Sequence, residues 1–119
     1  MVNSLEIGER GEKLARGYLE SIGYVYVDSN WKCKFGEIDL IMKSDNMLVF
    51  VEVKLRSSDK FGGGIESVDY TKKQKLLRAM KLYLLDISFE DNYRFDVIAI
   101  AVSMAEEVEI THIPYAIEE

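Results

Sequence analysis

Two segments of alternating apolar and polar residues, joined by a short polar turn, constrain the fold of this chain more than any other sequence feature. They are residues 36–42 and 47–54, and Asp45 and Asn46 lie at the centre of the turn between them. Both turn residues tolerate the positive φ angles that two-residue hairpin loops require. Because successive side chains of a strand point to opposite faces, each segment has one apolar and one charged face. The pattern predicts an antiparallel hairpin.

The register of this hairpin follows from its turn. With a two-residue loop, counting outward places Asp39 opposite Glu52 and Glu37 opposite Lys54. Side chains that face each other in this way have Cβ atoms about 4.5 to 5.5 Å apart. Two carboxylates therefore converge, and we expect no permanent positive charge between them. Because facing like charges destabilise a sheet, the pair predicts a site for a bound cation.

Mg²⁺, or Mn²⁺ in its place, suits this predicted acidic pair. Mg²⁺ prefers oxygen ligands and is held by one or two carboxylates together with waters and substrate phosphate oxygens. Lys54 follows Glu52 by two residues on the same face, where a lysine can orient or deprotonate the attacking water or neutralise transition-state charge. We therefore expect Asp39 and Glu52 to bind metal and phosphodiester hydrolysis to be the reaction. The structural alternative for Glu-x-Lys on a strand is a surface ion pair.

The remaining segments predict two helices and three further strands. Helix-like patterns cover about residues 4–22 and 69–85, strand-like runs cover 24–27, 93–102 and 108–113, and residues 56–64 predict a mobile loop. The apolar stripe of the first helix comprises Gly8, Gly11, Ala15, Leu19 and Ile22, and Glu12 projects from its edge. The order α-β-β-β-α-β-β predicts an α/β fold, a mixed sheet flanked by helices. At 119 residues, the chain is expected to form one domain, residues 1–119.

The composition excludes several kinds of site. Cys33 is the single cysteine and His112 the single histidine, which excludes an intrachain disulfide or a CxxC zinc cluster and gives little support to a multi-histidine metal site. Any metal must be held mainly by oxygen. No apolar run approaches the roughly 20 residues that cross a bilayer, and the N-terminus lacks the basic and then apolar order of a secretory signal. We expect a cytoplasmic protein without a membrane partner.

Basic residues cluster on the second predicted helix of an acidic chain. The formal net charge is −6, which argues against indiscriminate binding to nucleic acid. The cluster comprises Lys72, Lys73, Lys75, Arg78 and Lys81. One interpretation is a solvated helix face. The other is a surface that binds DNA phosphates, with Arg56, Lys72, Lys73 and Lys75 as the nucleic-acid-binding residues.

Four short sequences in this chain belong to a wider pattern. They are Gly11-Glu12-x-x-Ala15, Gly36-Glu37-Ile38-Asp39-Leu40-Ile41, Phe50-Val51-Glu52-Val53-Lys54-x-Arg56 and Arg94-Phe95-Asp96-Val97. Together they are similar to the YraN-type bacterial family. The acid followed after a gap by Glu-Val-Lys also resembles the PD-(D/E)XK nuclease core, with Ile38 where that core has proline. The resemblance extends over about residues 8–100.

The resemblance implies a fold and a set of roles. It implies the restriction endonuclease-like core, in the order α-β-β-β-α-β, of a metal-dependent DNA endonuclease related to Holliday-junction resolvases. Asp39 and Glu52 would be the Mg²⁺ or Mn²⁺ ligands, Lys54 the catalytic lysine and Glu12 an auxiliary acid. From the residues alone, Glu12 fits equally well as a helix-edge carboxylate whose head reaches water. Resolvase-like relatives act on two-fold symmetric junctions, so branched DNA and a homodimer are further expectations.

The alternative function is a non-catalytic nucleic-acid-binding or scaffold protein that retains the nuclease fold. The facing acids count against it, because a silent site has no need of them. Outside the core set, Glu37 is interpreted as a partner of Lys54. Asp96 is interpreted as the partner of Arg94 or Arg56 in a structural ion pair.

Overall fold

A five-stranded mixed sheet with two helices forms the architecture of the computed structural model, which describes the backbone of residues 4–57 and 69–119 and the side chains of residues 9–55 and 69–119. The elements are α1 (Ser4–Ser21), β1 (Val25–Cys33), β2 (Gly36–Ser44), β3 (Met47–Ser57), α2 (Tyr70–Asp86), β4 (Tyr93–Val102) and β5 (Val108–Ile117). The strands lie side by side in chain order. β3 and β4 are parallel, and the other neighbours are antiparallel. The predicted α/β class is confirmed.

The hairpin of β2 and β3 has the register that its turn predicted. Ser44 pairs with Met47, and the ladder continues to Leu40 and Val51. Asp45 in the turn has a φ of 53°, the left-handed conformation that aspartate tolerates better than most residues. The short loop thus sets the pairing as far as Leu40 and Val51; the predicted pairs of Asp39 with Glu52 and of Glu37 with Lys54 lie beyond the end of the ladder.

The helix α2 lies in the connection between the parallel strands β3 and β4. Parallel neighbours cannot be joined by a tight turn, so the chain must cross over the sheet before it returns. The side chain of Asp69 caps α2 by accepting a 2.9 Å hydrogen bond from the backbone N–H of Lys72. Neither α1 nor α2, over the residues described, is long and apolar enough to span a lipid bilayer.

The two helices cover opposite faces of the sheet. Leu48 and Phe50 of β3 belong to a buried cluster with the apolar side of α2, whereas Val49 and Val51 belong to another cluster with Ala15 and Leu19 of α1. Complete burial of one such large aliphatic or aromatic side chain is worth about 1.5–3 kcal/mol. The alternation along β3 therefore directs its even-numbered residues towards α2. Glu52 follows Phe50 on that face.

Several predicted boundaries are wrong. β1 was expected at residues 24–27 but extends to Cys33, because it pairs with β2 through a register shift between Tyr26 and Asp28. β5 continues beyond residue 113 to Ile117 alongside β4. β3 continues to Ser57, so the predicted loop does not begin at residue 56. Residues 58–64 of that loop lie outside the described part of the chain.

The C-terminal end of the first helix also differs from its prediction. Ile22 was placed on the apolar stripe, but α1 ends at Ser21 and Ile22 is 48% exposed. Gly23, with a φ of 98°, turns the chain away directly after it. Ala15 and Leu19 are fully buried as expected. Gly8, the first residue of the predicted stripe, lies outside the residues whose burial is described.

Candidate functional site

β2 and β3 separate at the two residues that carry the predicted acids. Their ladder ends at Leu40 and Val51, while β2 stays paired with β1 and β3 with β4 beyond that point. Asp39 and Glu52, here called the acidic pair, are the first residues past the end of the ladder. Oδ2 of Asp39 accepts a 2.9 Å hydrogen bond from the backbone N–H of Val53. A side chain of β2 thus bonds to β3 where the strands diverge.

The acidic pair is largely withdrawn from water. Glu52 is 6% exposed and Asp39 is half-buried. Burial raises the pKa of Asp39 to about 7, and the charge of Glu52 and a hydrogen bond between the two carboxyl groups act in the same direction. The hydrogen bond from Val53 and the charge of Lys72 oppose this rise. Two carboxyl groups in such a position attract a cation, because it relieves both desolvation and mutual repulsion.

A lysine of α2 reaches the acidic pair. Nζ of Lys72 lies 3.5 Å from Oε1 of Glu52, and the lysine side chain is 52% exposed. Lys72 belongs to the first turn of α2, which Asp69 caps. We expected no permanent positive charge between the acids; the structure shows that Lys72 brings one to Glu52. The crossover of the chain brings the start of α2 over the place where β3 carries Glu52.

Lys54 lies on the same face of β3 as Glu52. It is half-buried, and strand alternation places its side chain on the side to which Glu52 points. β3 is paired with β4 at this position, with Lys54 next to Ala99. Pairing with β4 limits the movement of this backbone, so the spacing of Glu52 and Lys54 is held from that side of the sheet.

Glu12 of α1 lies within electrostatic range of Asp39. Its Oε2 accepts a 2.8 Å hydrogen bond from Nδ2 of Asn30 on β1. Burial raises the pKa of Glu12, the hydrogen bond from Asn30 lowers it, and the charges of Asp39 and Glu37 raise it further. The structure therefore brings Glu12 and Asp39 near each other, although they are on different elements.

The structure describes the side chains of some of the other predicted nucleic-acid-binding residues. Lys73 is half-buried and Lys75 is exposed, both in the first two turns of α2. Lys81, farther along the helix, pairs with Glu119 at 3.4 Å. The side chain of Arg56 lies outside the described residues. Lys72 thus stands at the acidic pair, and Lys73 and Lys75 follow it on the same helix.

The donors for a metal ion are few. Among the side chains of residues 9–55 and 69–119, no three Asp, Glu, His or Cys side chains are grouped to hold a metal. The acidic pair offers two carboxylates, which is the number that Mg²⁺ commonly takes from a protein in phosphoryl-transfer sites. An ion bound here would fill its remaining positions with water and substrate oxygens.

A second polar cluster lies on the face of the sheet that α1 covers. Asp96 of β4 is fully buried. It accepts hydrogen bonds from Nε of Arg94 at 2.9 Å, Nε2 of His112 at 2.7 Å and the backbone N–H of Tyr115 at 3.0 Å. Arg94 also donates to the hydroxyl of Tyr24. The predicted ion pair of Asp96 with Arg94 is confirmed, and its contacts join β4, β5 and Tyr24, the residue before β1.

Sequence reasoning missed two contacts of the site. They are the approach of Lys72 to Glu52 and the hydrogen bond of Asn30 to Glu12. Both join residues far apart in the chain. A lysine shortly after Asp69 could be recognised as a first-turn residue, but the strand that a helix start covers depends on the crossover. No local pattern contains that information.

Sequence comparisons relate this chain to one bacterial protein family. The family model described as "Uncharacterised protein family UPF0102" matches residues 11–100. This range includes all four short sequences that predicted the YraN-type family, and that prediction is confirmed. It also includes the acidic pair, Lys54 and Glu12.

Individual relatives match over most of their length. A UPF0102 protein of Thermodesulfovibrio yellowstonii is 47% identical over 105 residues, which cover 88% of this chain and 94% of the relative. One of Legionella pneumophila is 46% identical over 97 residues, covering 80% and 82%. One of Clostridium kluyveri is 41% identical over 104 residues, covering 87% and 85%. These names state no activity.

Proposed function

We propose a nuclease function for this chain, which belongs to the UPF0102 family: metal-dependent hydrolysis of DNA phosphodiester bonds. One observation carries the proposal. The carboxyl groups of Asp39 and Glu52 interact at the point where β2 and β3 separate, and this interaction and burial raise the pKa of Asp39; Glu52 is buried and Asp39 half-buried. Two neighbouring carboxylates repel each other, and a purely structural role for the pair does not explain this unfavourable interaction.

Mg²⁺ or Mn²⁺ fits this pair. Asp39 and Glu52 would hold the ion, because hard divalent cations take carboxylate oxygens and two such ligands leave room for substrate. When bound, the ion supplies a Lewis acid for a phosphate oxygen and compensates charge in the transition state. The raised pKa of Asp39 fits the same role, since binding of a cation would favour loss of its proton.

Lys54 and Glu12 complete the proposed site. Lys54 would orient the attacking water, take its proton or stabilise negative charge on the reacting phosphate. Its position two residues after Glu52 on a paired strand supports this role, because such a strand holds reacting groups in a fixed geometry. Glu12, held by Asn30, would assist from α1 as an auxiliary acid.

The proposed substrate is DNA, including branched DNA. Lys72, Lys73 and Lys75 in the first turns of α2 and Arg56 near the end of β3 would bind backbone phosphates. The likeness to PD-(D/E)XK nucleases and junction resolvases adds the expectation of a restriction endonuclease-like core and of a homodimer on symmetric junctions. A cytoplasmic location belongs to the same proposal, since bacterial DNA is found there.

The test is a cleavage assay combined with a metal titration. Purified protein is incubated with linear, flap and four-way-junction DNA in Mg²⁺, Mn²⁺ or EDTA. Cleavage is expected with either metal and not in EDTA. Glu52→Gln and Asp39→Asn should abolish both cleavage and the calorimetric signal of Mn²⁺ binding.

Glu109→Gln provides the matched control. It makes the same chemical change at an exposed position on β5, and it should retain cleavage and metal binding. Undiminished Mn²⁺ binding in Glu52→Gln or Asp39→Asn would remove that residue from the site. Absence of cleavage on every substrate, together with absence of Mn²⁺ binding, would refute the nuclease proposal.

A second candidate function is a nucleic-acid-binding or scaffold protein that does not cleave. The ion pair of Lys72 with Glu52 favours it, because Glu52 already has a cationic partner without metal. If the chain has this second function, α2 should bind DNA and the acidic pair should bind no Mn²⁺. The calorimetric titration therefore separates the two functions even before a substrate is known.

A further inference from the structure

We infer that Lys72 is the resident counterion of the acidic pair and competes with the divalent metal ion for Glu52. The inference rests on the metal site of the proposed function. It concerns the affinity of that site: the ammonium group of Lys72 would have to leave Glu52 before the metal ion can bind, so the lysine sets the metal concentration at which the site is loaded.

The positions of the two side chains support this competition. The Glu52 side chain is 7% exposed, whereas that of Lys72 is 52% exposed, and their charged atoms are 3.5 Å apart. A buried carboxylate without a partner is costly. The lysine supplies a partner while much of its own side chain stays in water, which keeps the desolvation of its ammonium group small.

The same geometry makes the lysine displaceable. Its separation from Oε1 of Glu52 is longer than that of a short charge-assisted hydrogen bond, which is about 2.7–2.9 Å. Its backbone is held in the first turn of α2 by Asp69, so only the flexible four-carbon stem has to move. A divalent ion at Glu52 would repel the ammonium group. The stem can then turn outward without any change in the helix.

Three variants measured by calorimetric titration with Mn²⁺ test the inference. Lys72→Met keeps the length of the stem and removes the charge, Lys72→Arg keeps the charge, and Lys75→Met removes one charge from an exposed position on the same helix. We expect Lys72→Met to bind Mn²⁺ about two- to fivefold more tightly than the native chain, as expected for loss of one partly exposed ion pair. Lys72→Arg should stay close to the native affinity.

Lys75→Met corrects for the general effect of lower positive charge. A gain in Lys72→Met that exceeds the gain in Lys75→Met supports the competition. If Lys72→Met and Lys75→Met bind alike, or if Lys72→Arg gains as much as Lys72→Met, the charge of Lys72 does not compete and the inference is refuted. If the native chain binds no Mn²⁺, the metal site of the proposed function fails as well.

Thermal unfolding provides a second measurement that does not depend on calorimetric heat. In EDTA, Lys72→Met should unfold at a lower temperature than the native chain, because Glu52 has lost its partner. Saturating Mn²⁺ should raise its unfolding temperature by more than it raises that of the native chain. Equal shifts in both proteins would count against the inference, and the EDTA measurement also verifies that the variant is folded.

Discussion

The carboxyl group of Asp39 interacts with both Val53 and Glu52. One oxygen accepts a hydrogen bond from the backbone N–H of Val53, and the group also shares a hydrogen bond with Glu52. The first contact favours the charged form of Asp39, whereas burial and Glu52 favour the neutral form. The balance brings the pKa to about 7. A small change in the surroundings, such as an approaching cation, is enough to change the charge of this residue.

Asp39→Asn should alter how stability depends on pH in the absence of metal. The folded chain holds the Asp39 proton with a pKa of about 7, against an ordinary value of 3.8. The stability that Asp39 contributes is therefore full below about pH 4 and decreases as pH rises through about 7. The variant lacks this titration and can still accept the hydrogen bond from Val53. In EDTA it should become more stable than the native chain by roughly 0.2 to 1 kcal/mol at neutral pH.

Urea unfolding in EDTA at several pH values measures this difference. The two stability curves should diverge as pH rises through the interval between the two pKa values. Parallel curves, or a variant that is less stable at neutral pH, would identify Asp39 as a structural ion-pair partner and exclude it from a metal site.

Lys54→Ala should separate catalysis from metal binding. Lys54 follows the proposed ligand Glu52 but is not itself a ligand, so Mn²⁺ affinity should change little. The cleavage rate should decrease by about 10²- to 10⁴-fold, the usual contribution of a group that moves or holds a proton. Lys43→Ala, at an exposed position of β2, is the control and should cleave normally. A Lys54→Ala protein with native activity would assign the lysine to a structural ion pair.

At the scale of elements, each helix brings one charged side chain towards the acidic pair. Glu12 comes from the N-terminal half of α1 and Lys72 from the first turn of α2. α1 and α2 lie on opposite faces of the sheet; Lys72 forms an ion pair with Glu52, and the charge of Asp39 acts on Glu12. The strands therefore carry the proposed metal ligands, and the helices add Glu12 and Lys72 near them.

Alanine substitutions at two glycines should have opposite effects on stability. Gly17 lies within α1, and Gly36 begins β2 with a φ of 141°; neither would bring an added Cβ within 4 Å of another atom. Gly17→Ala should raise the free energy of unfolding by about 0.5–1 kcal/mol, because glycine is unfavourable inside a helix. Gly36→Ala should lower it, since L residues rarely adopt that φ. Urea unfolding measures the free energy of unfolding of both variants. A change of the same sign in both would contradict the backbone conformations of Gly17 and Gly36.

The basic start of α2 predicts a salt dependence of DNA binding. If Lys72, Lys73 and Lys75 bind phosphates, their joint replacement by alanine should weaken binding about equally for all DNA sequences. The slope of log affinity against log salt should decrease by about one for each phosphate that is no longer bound. Fluorescence anisotropy in the Glu52→Gln background, where no cleavage is expected, measures the slope. Alanine at the exposed residues Lys13, Lys32 and Lys43 is the charge-matched control, and equal slopes in both triple variants would indicate a merely solvated helix face.

At the scale of the whole molecule, the sheet separates two polar clusters. Glu52 of the acidic pair faces the α2 side, where Lys72 reaches it, whereas Asp96 with its partners is buried on the α1 side. Asp96 receives hydrogen bonds from its own strand and from two positions of β5, and its partner Arg94 bonds to Tyr24 beside β1. This second cluster joins the two edges of the sheet beneath α1.

Asp96→Asn should destabilise the whole fold and leave the proposed metal site unchanged. It leaves Arg94, whose side chain is 12% exposed, without its charge partner. Loss of one member of a buried ion pair lowers the free energy of unfolding by about 3–5 kcal/mol. Trp31 fluorescence and far-UV circular dichroism should report the same transition, as expected for cooperative unfolding. Native stability combined with lost Mn²⁺ binding would instead assign Asp96 to the site.

The sequence by itself determined those features that depend on neighbours in the chain. The turn at Asp45 and Asn46 set the register of β2 and β3, and alternation along both strands brought Asp39 and Glu52 together. The periodicity of α1 correctly identified Ala15 and Leu19 as core residues. These inferences succeeded because a two-residue loop leaves only one pairing, and because strand and helix geometry repeats at fixed intervals.

Only the tertiary structure decided what surrounds the acidic pair. The end of the ladder at Leu40 and Val51, the length of β1 and the approach of Lys72 to Glu52 all depend on pairing or packing between distant segments. Lys72 shows the reason most clearly. Its helical position could be predicted, but its partner depends on how the crossover between parallel strands lies over the sheet. A local pattern contains no information about that path, because the contacts that select it form only when the whole sheet is assembled.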